Sequence, residues 1–157
     1  MMNGSVVSLH ICRRAGDAMT SVPAVRAVPG KGLEQDRYHD GNGTFSQSAG
    51  PDREVTLIEE EAVDALRRDY EVAFGAGDSR RNIVTRGVPL NHFVGREFRV
   101  GEVTLRGIRL CEPCGHLERT SGRPVRAGLV HRAGLRAQIV IGGIIRAGAH
   151  IEPAVPQ

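Results

Sequence analysis

Glycine and proline interrupt this chain too often for a helical bundle. Twenty glycines and eight prolines stand among 157 residues. They cut the apolar residues into short runs that suit strands and tight turns. Met2 to His10 holds Val6-Val7-Ser8-Leu9, an opening strand. Val22 to Val28 reads as a second, with Pro23 at its edge. Arg53 to Ile58, Asn82 to Thr85 and Phe98 to Val100 read as further short strands. Gly101-Glu102 makes a hairpin turn into Val103 to Leu110, where Val103, Leu105 and Gly107 share one face. Ala137 to Ile141 and Ile144 to Ala147 flank Gly142-Gly143, a second hairpin signal, and His150 to Pro153 ends the series. Only Glu59 to Tyr70 reads as a helix. Ala62, Val63, Leu66 and Tyr70 recur at near-helical spacing behind three glutamates in the first turn. The reading is a mainly-β barrel with one or two peripheral helices, spanning residues 1–157 as one domain.

Composition sets the core and narrows the partners. Hydrophobic residues are 40% of the chain, aromatics only 4%, and tryptophan is absent, so the core is aliphatic. Net charge is +3 and almost all the positive charge is arginine, with Lys31 the single lysine. Guanidinium groups clamp phosphates and oxyanions bidentately, although a codon bias toward arginine explains the composition equally well. No basic run is interleaved with aromatics, so nucleic acid is not an expected partner. No stretch approaches the roughly 20 apolar residues of a membrane span. Three cysteines without a secretory signal fit a reducing cytoplasm.

Two of those cysteines form a turn, Cys111-Glu112-Pro113-Cys114, at the end of a strand-like run. Four readings stay open. The pair is a zinc half-site completed by His116 and a distant Cys12 or His10, although no second such pair exists. It is a redox pair, although no helix follows it. It is two inert buried thiols. Or one thiolate binds a soft metal or carries sulfur. Cys114 lies past the proline and is the one displayed in the loop, and His116 is placed to orient a ligand. Elsewhere, Gly30 to Tyr38 suits an ordinary loop better than an anion cradle, because its spacing fits no phosphate-binding fingerprint. Arg80-Arg81-Asn82 ahead of an apolar strand reads as a solvated surface or as a pocket edge.

Taken in order, these segments resemble the MOSC domain, the family named after the C-terminal domain of molybdenum cofactor sulfurase. The matching pieces are Gly30 to Tyr38, Arg53 to Ile58, Arg81 to Gly87, Leu90 to Gly101, Leu110 to Cys114, and Gly134 to Ala137 with Gly142-Gly143. The resemblance implies a MOSC-type β-barrel. It also implies a molybdenum cofactor (molybdopterin) site in which Cys114 is the catalytic residue and the metal ligand. Asp36, Arg37, Arg81, Asn82 and His116 become cofactor-binding candidates. It implies reduction of small N-hydroxylated substrates with a partner reductase, or sulfur carriage from a cysteine desulfurase. Pyridoxal phosphate is not expected on this chain itself. A non-enzymatic zinc-stabilised module using Cys111, Cys114 and His116 is the remaining alternative. Two departures stand out. Gln35 occupies the position before the aspartate where the family usually has glycine, and Gly148-Ala149 stands where Gly-Asp is common. The chain has no room for the extra N-terminal barrel region of longer, reducing members.

Overall fold

A computed structural model describes residues 3–14, 16–39, 50–71, 74–111 and 128–154. Eleven strands and one α-helix appear among them. The strands are β1 (Gly4–Ile11), β2 (Thr20–Val22), β3 (Ala24–Val28), β4 (Gly32–Leu33), β5 (Val55–Glu59), β6 (Ile83–Arg86), β7 (Glu97–Val100), β8 (Val103–Leu110), β9 (Leu135–Ile141), β10 (Gly143–Arg146) and β11 (His150–Pro153). Seven of them close a barrel in the order β1-β11-β7-β8-β9-β5-β6 and back to β1, the expected architecture. Every neighbouring pair in the ring is antiparallel except β5 and β6. A parallel pair needs a crossover. The helix α1 (Glu60–Tyr70) lies in it.

The barrel interior is the aliphatic core that the composition demands. Val6, Leu9, Leu57, Ile83, Val100, Leu105, Leu135, Ile139 and Ile151 point into it. Phe93 and Phe98 add one stacked pair, with centroids 4.8 Å apart. Burying each such side chain contributes about 1.5–3 kcal/mol. A second, smaller cluster lies outside the wall. Val63 and Leu66 of α1 pack on Ile58 and Val84, with Phe74, Leu129 and Ala133 around them. Glu60 and Glu61 sit in the first turn, where the helix dipole favours acids. Glu71, in the left-handed conformation, ends the helix. Tyr70 completes the apolar spacing in sequence, yet it stays half exposed.

Two strand expectations need correction. Val22 to Val28 is not one strand. Pro23 divides it into β2, which pairs with β1, and β3, which pairs with β10 and β4 in a separate three-stranded sheet. Proline has no N–H for a ladder, so the chain changes sheets there. Gly142-Gly143 is not a hairpin turn either. The strand before it, β9, pairs with β8 and β5, whereas β10 leaves the barrel and pairs with β3. The two glycines allow a crossing at close quarters. A Cβ on Gly142 would stand 2.6 Å from the Ala27 carbonyl oxygen, and Gly143 has φ 153° against the Glu102 carboxylate.

Glu54, just before β5, fastens the two sheets. Its Oε1 accepts the N–H of Gly30 and the N–H of Ile139, each at 3.1 Å. The glycine-rich turn therefore spends an amide on an internal carboxylate. Burial pushes the Glu54 carboxyl up, and those two N–H groups pull it back. A folded-state pKa above the unfolded value means that this stability is fully present below pH 4.5 and is lost as pH rises through the folded value. Glu54→Gln keeps an acceptor for both N–H groups and removes the buried charge. Its stability relative to the parent is expected to be more favourable at pH 7 than at pH 4, in urea denaturation at both pH values. Glu54→Ala is expected to cost roughly 2–3 kcal/mol at pH 4 and less at pH 7, because it orphans two buried donors while removing a charge that is buried only at the higher pH.

Candidate functional site

Strand direction assigns the predicted residues to the two rims of the barrel. Following the pairings round the ring, β5, β6, β8 and β11 end at one rim and β1, β7 and β9 at the other. Asp36, Arg37 and Asn82 gather at the rim where β1 ends. Cys111, the last described residue before the cysteine turn, stands at the opposite rim, where β8 ends. Cys114 and His116 lie outside the described residues.

At the first rim, Asp36 is sealed from solvent and is the hub of a polar knot. Its Oδ1 accepts the Cys12 N–H at 3.0 Å, the Arg37 guanidinium at 3.3 Å and the Asn82 side-chain amide at 3.4 Å. Its Oδ2 accepts the Tyr38 N–H at 3.3 Å. Burial pushes the Asp36 carboxyl up, while Arg37 and the N–H donors pull it back. Asn82 has its amide fully engaged. Oδ1 accepts from the Thr56 N–H and hydroxyl, and Nδ2 also donates to the His10 carbonyl at 3.1 Å. The knot therefore ties the exit of β1, the entry of β5 and the entry of β6. Arg37 is 7% exposed and stacks on the Tyr38 ring, 4.9 Å from its centroid.

In the sequence, three members of this knot count only as a distant zinc ligand (His10, Cys12) or as one of a pair of arginines (Arg80), not as parts of one cluster. His10 is buried, and that burial holds its imidazole below the usual histidine range. Cys12 is buried too, with Sγ 4.0 Å from Arg80 Nη2. Arg80 also donates to the Asp17 carbonyl at 2.5 Å. A cysteine at a strand end and an arginine beside another arginine look ordinary until the strands are paired. Gln35 explains its own departure from the family pattern. Its φ is 68°, the left-handed region that glycine enters at no steric cost. The chain holds that conformation with a glutamine, whose Oε1 accepts from Arg13.

At the second rim, two neighbouring carbonyls hold the candidate chemistry together. The Cys111 N–H donates to the Gly134 carbonyl at 2.7 Å. Arg81 Nε donates to the Ala133 carbonyl at 2.8 Å. Arg80 and Arg81 are adjacent in sequence but part company, because Arg80 has φ 61° and breaks the strand-like alternation. One guanidinium goes to the Asp36 knot, and the other crosses to the cysteine rim. Among the described residues, the terminal Nη groups of Arg81 meet no acceptor. Cys111 itself is buried.

Among the described residues, this rim offers the half-buried Arg81 guanidinium. A guanidinium held this way suits a phosphate or another oxyanion. Among the described residues, no three His, Cys, Asp or Glu side chains come together as a metal site. No helix among them is long and apolar enough to cross a membrane.

Known proteins carry the same fold. The YuaD protein of Bacillus subtilis aligns over 99% of this chain and 98% of its own, with a TM-score of 0.78 at 14% identity. YiiM of Geobacillus stearothermophilus aligns over 97% of this chain and 75% of its own, with a TM-score of 0.74 at 16% identity. YiiM of Escherichia coli covers 100% of this chain and 72% of its own, with a TM-score of 0.66 at 21% identity. No curated protein matches the sequence significantly. The model of the MOSC domain matches residues 44–152, more than half of the chain. This chain belongs to the MOSC domain family, which is associated with the molybdenum cofactor.

Proposed function

We propose that this chain binds a molybdenum–pterin cofactor at the rim where β8 ends, with Cys114 as thiolate ligand to the metal. The observation that carries the reading is Arg81. Its guanidinium is anchored on Ala133, one residue from the carbonyl that fixes Cys111. A phosphate on the cofactor would take the two Nη groups bidentately. Asp36 and Asn82 serve from behind by fixing the entry of β6, from which Arg81 springs. Arg37 keeps the Asp36 charge paired, and His116 orients whatever the cysteine turn holds. When bound, the cofactor supplies two-electron chemistry, and the chain orients it. The substrate class is a small molecule with a reducible N–O bond, and a separate reductase supplies the electrons.

The test is metal content. From a host that makes the cofactor, the parent protein is expected to carry molybdenum and pterin fluorescence close to one per chain. Cys114→Ser is expected to lose the metal, and Arg81→Gln to retain about 10- to 100-fold less cofactor under dialysis, the loss of a charge-assisted bond. Full molybdenum in Cys114→Ser refutes the ligand assignment. Zinc without molybdenum, with unfolding by a chelator, favours the structural-zinc module instead.

A further inference from the structure

Beside α1, a cleft of about 320 Å³ opens on the surface. Three segments wall it. Glu59 and Glu61 come from the β5–α1 junction, Asn91 and His92 from the turn after β6, and His131 and Arg132 from the turn before β9. Asn91 Nδ2 donates to the His131 carbonyl at 3.0 Å, so the last two walls are tied together. The proposed cofactor site uses none of these side chains.

The charges in the cleft are mixed, and each acid is partly engaged: Glu61 Oε2 accepts the Gly87 N–H at 2.8 Å, and Glu59 accepts the Leu90 N–H. Burial pushes the Glu59 carboxyl up and Glu61 pushes it further, while the Leu90 N–H, Arg132 and His92 pull it back. Glu59 and Arg132 thus feel each other across the cleft, yet they form no ion pair among the described residues. Two opposite charges that face one cavity without closing on each other leave room for a ligand with the opposite charges in the opposite order. A simple anion would meet Glu59 and Glu61, and a simple cation would meet Arg132. A metal ion is a poorer fit, because the carboxylates and imidazoles do not converge. The volume stands at the small end for ligand pockets, which admits an amino acid and not a nucleotide.

We propose that this cleft binds a small zwitterion of the amino-acid class, its ammonium between Glu59 and Glu61 and its carboxylate on Arg132. The cleft is independent of the cofactor reading, and its test is separable from that reading. The full chain is titrated calorimetrically with glycine, L-serine, L-glutamine and L-arginine, and with methylammonium and acetate as half-ligands. At least one zwitterion is expected to bind at least about 10-fold tighter than either half-ligand. Glu59→Gln and Arg132→Gln are each expected to weaken it by at least about 10-fold, the loss of one charge-assisted contact. Both positions lie at the surface of the cleft, and a circular dichroism spectrum checks that the variants fold. Cys114→Ser is expected to bind the zwitterion as the parent does. Absence of heat with every zwitterion at tens of millimolar would overturn the proposal. So would acetate binding as tightly as the zwitterion, or undiminished binding in both charge variants.

Discussion

Asp36→Ala is expected to destabilise the protein by roughly 3–5 kcal/mol, the cost of breaking a buried charge pair by removing one partner. The Asp36 carboxylate takes four donors at once, two of them backbone N–H groups in different segments. Alanine leaves all four without that acceptor and leaves the nearly sealed Arg37 guanidinium without its counter-charge. Urea denaturation should show the midpoint falling with the slope unchanged. The double variant Asp36→Ala with Arg37→Met is expected to recover part of the loss, because it removes the orphaned charge as well. A loss below about 1 kcal/mol in Asp36→Ala, the worth of one ordinary hydrogen bond, would show that the knot does not hold the barrel rim.

The second large effect is expected at Gly134. A Cβ there would stand 2.0 Å from the Leu57 carbonyl oxygen, and the backbone has φ 110°. Leu57 pairs with Leu135, so the new methyl group presses β9 off β5 at the place where the two strands meet. Strain and overpacking together should cost on the order of 3–5 kcal/mol. At about 2–4 °C per kcal/mol for a chain of this size, the melting temperature should drop by roughly 10 °C. Gly148→Ala separates the two causes. Its φ is 88° but nothing lies within 4 Å of the added carbon, so only the backbone term of about 1 kcal/mol is expected. Gly134→Ala also moves the carbonyls that hold Cys111 and Arg81. It should therefore lower cofactor retention even at temperatures far below its melting point. Equal melting temperatures for the two variants would mean that close approach at Gly134 contributes nothing.

Much of the architecture was legible because it follows from local periodicity. The helix announced itself through Ala62, Val63 and Leu66. The β7–β8 hairpin announced itself through Gly101, which takes φ 60° in the turn. Gly142-Gly143 misled because two glycines between apolar runs look alike whether the second strand folds back or departs. The choice was made by β3, more than a hundred residues earlier, whose free edge pairs with β10. Glu54 was missed, and the place of Cys12 and Arg80 in the knot was not foreseen, for a related reason. An acid ahead of a strand reads as surface until the N–H groups of Gly30 and Ile139 are brought to it.

The candidate site divides along the same line. The residue types were readable: a cysteine pair after a strand, a guanidinium before a strand, an aspartate after a turn. Their distribution over two rims was not, since it depends on strand direction around a closed ring. Alternation and turn chemistry act over a few residues, and the sequence by itself settled whatever they control: the strands, the helix and the aliphatic core. Only the tertiary structure decided that Asp36 and Asn82 brace one end while Arg81 crosses to the other, because closing a barrel fixes which distant segments share a rim.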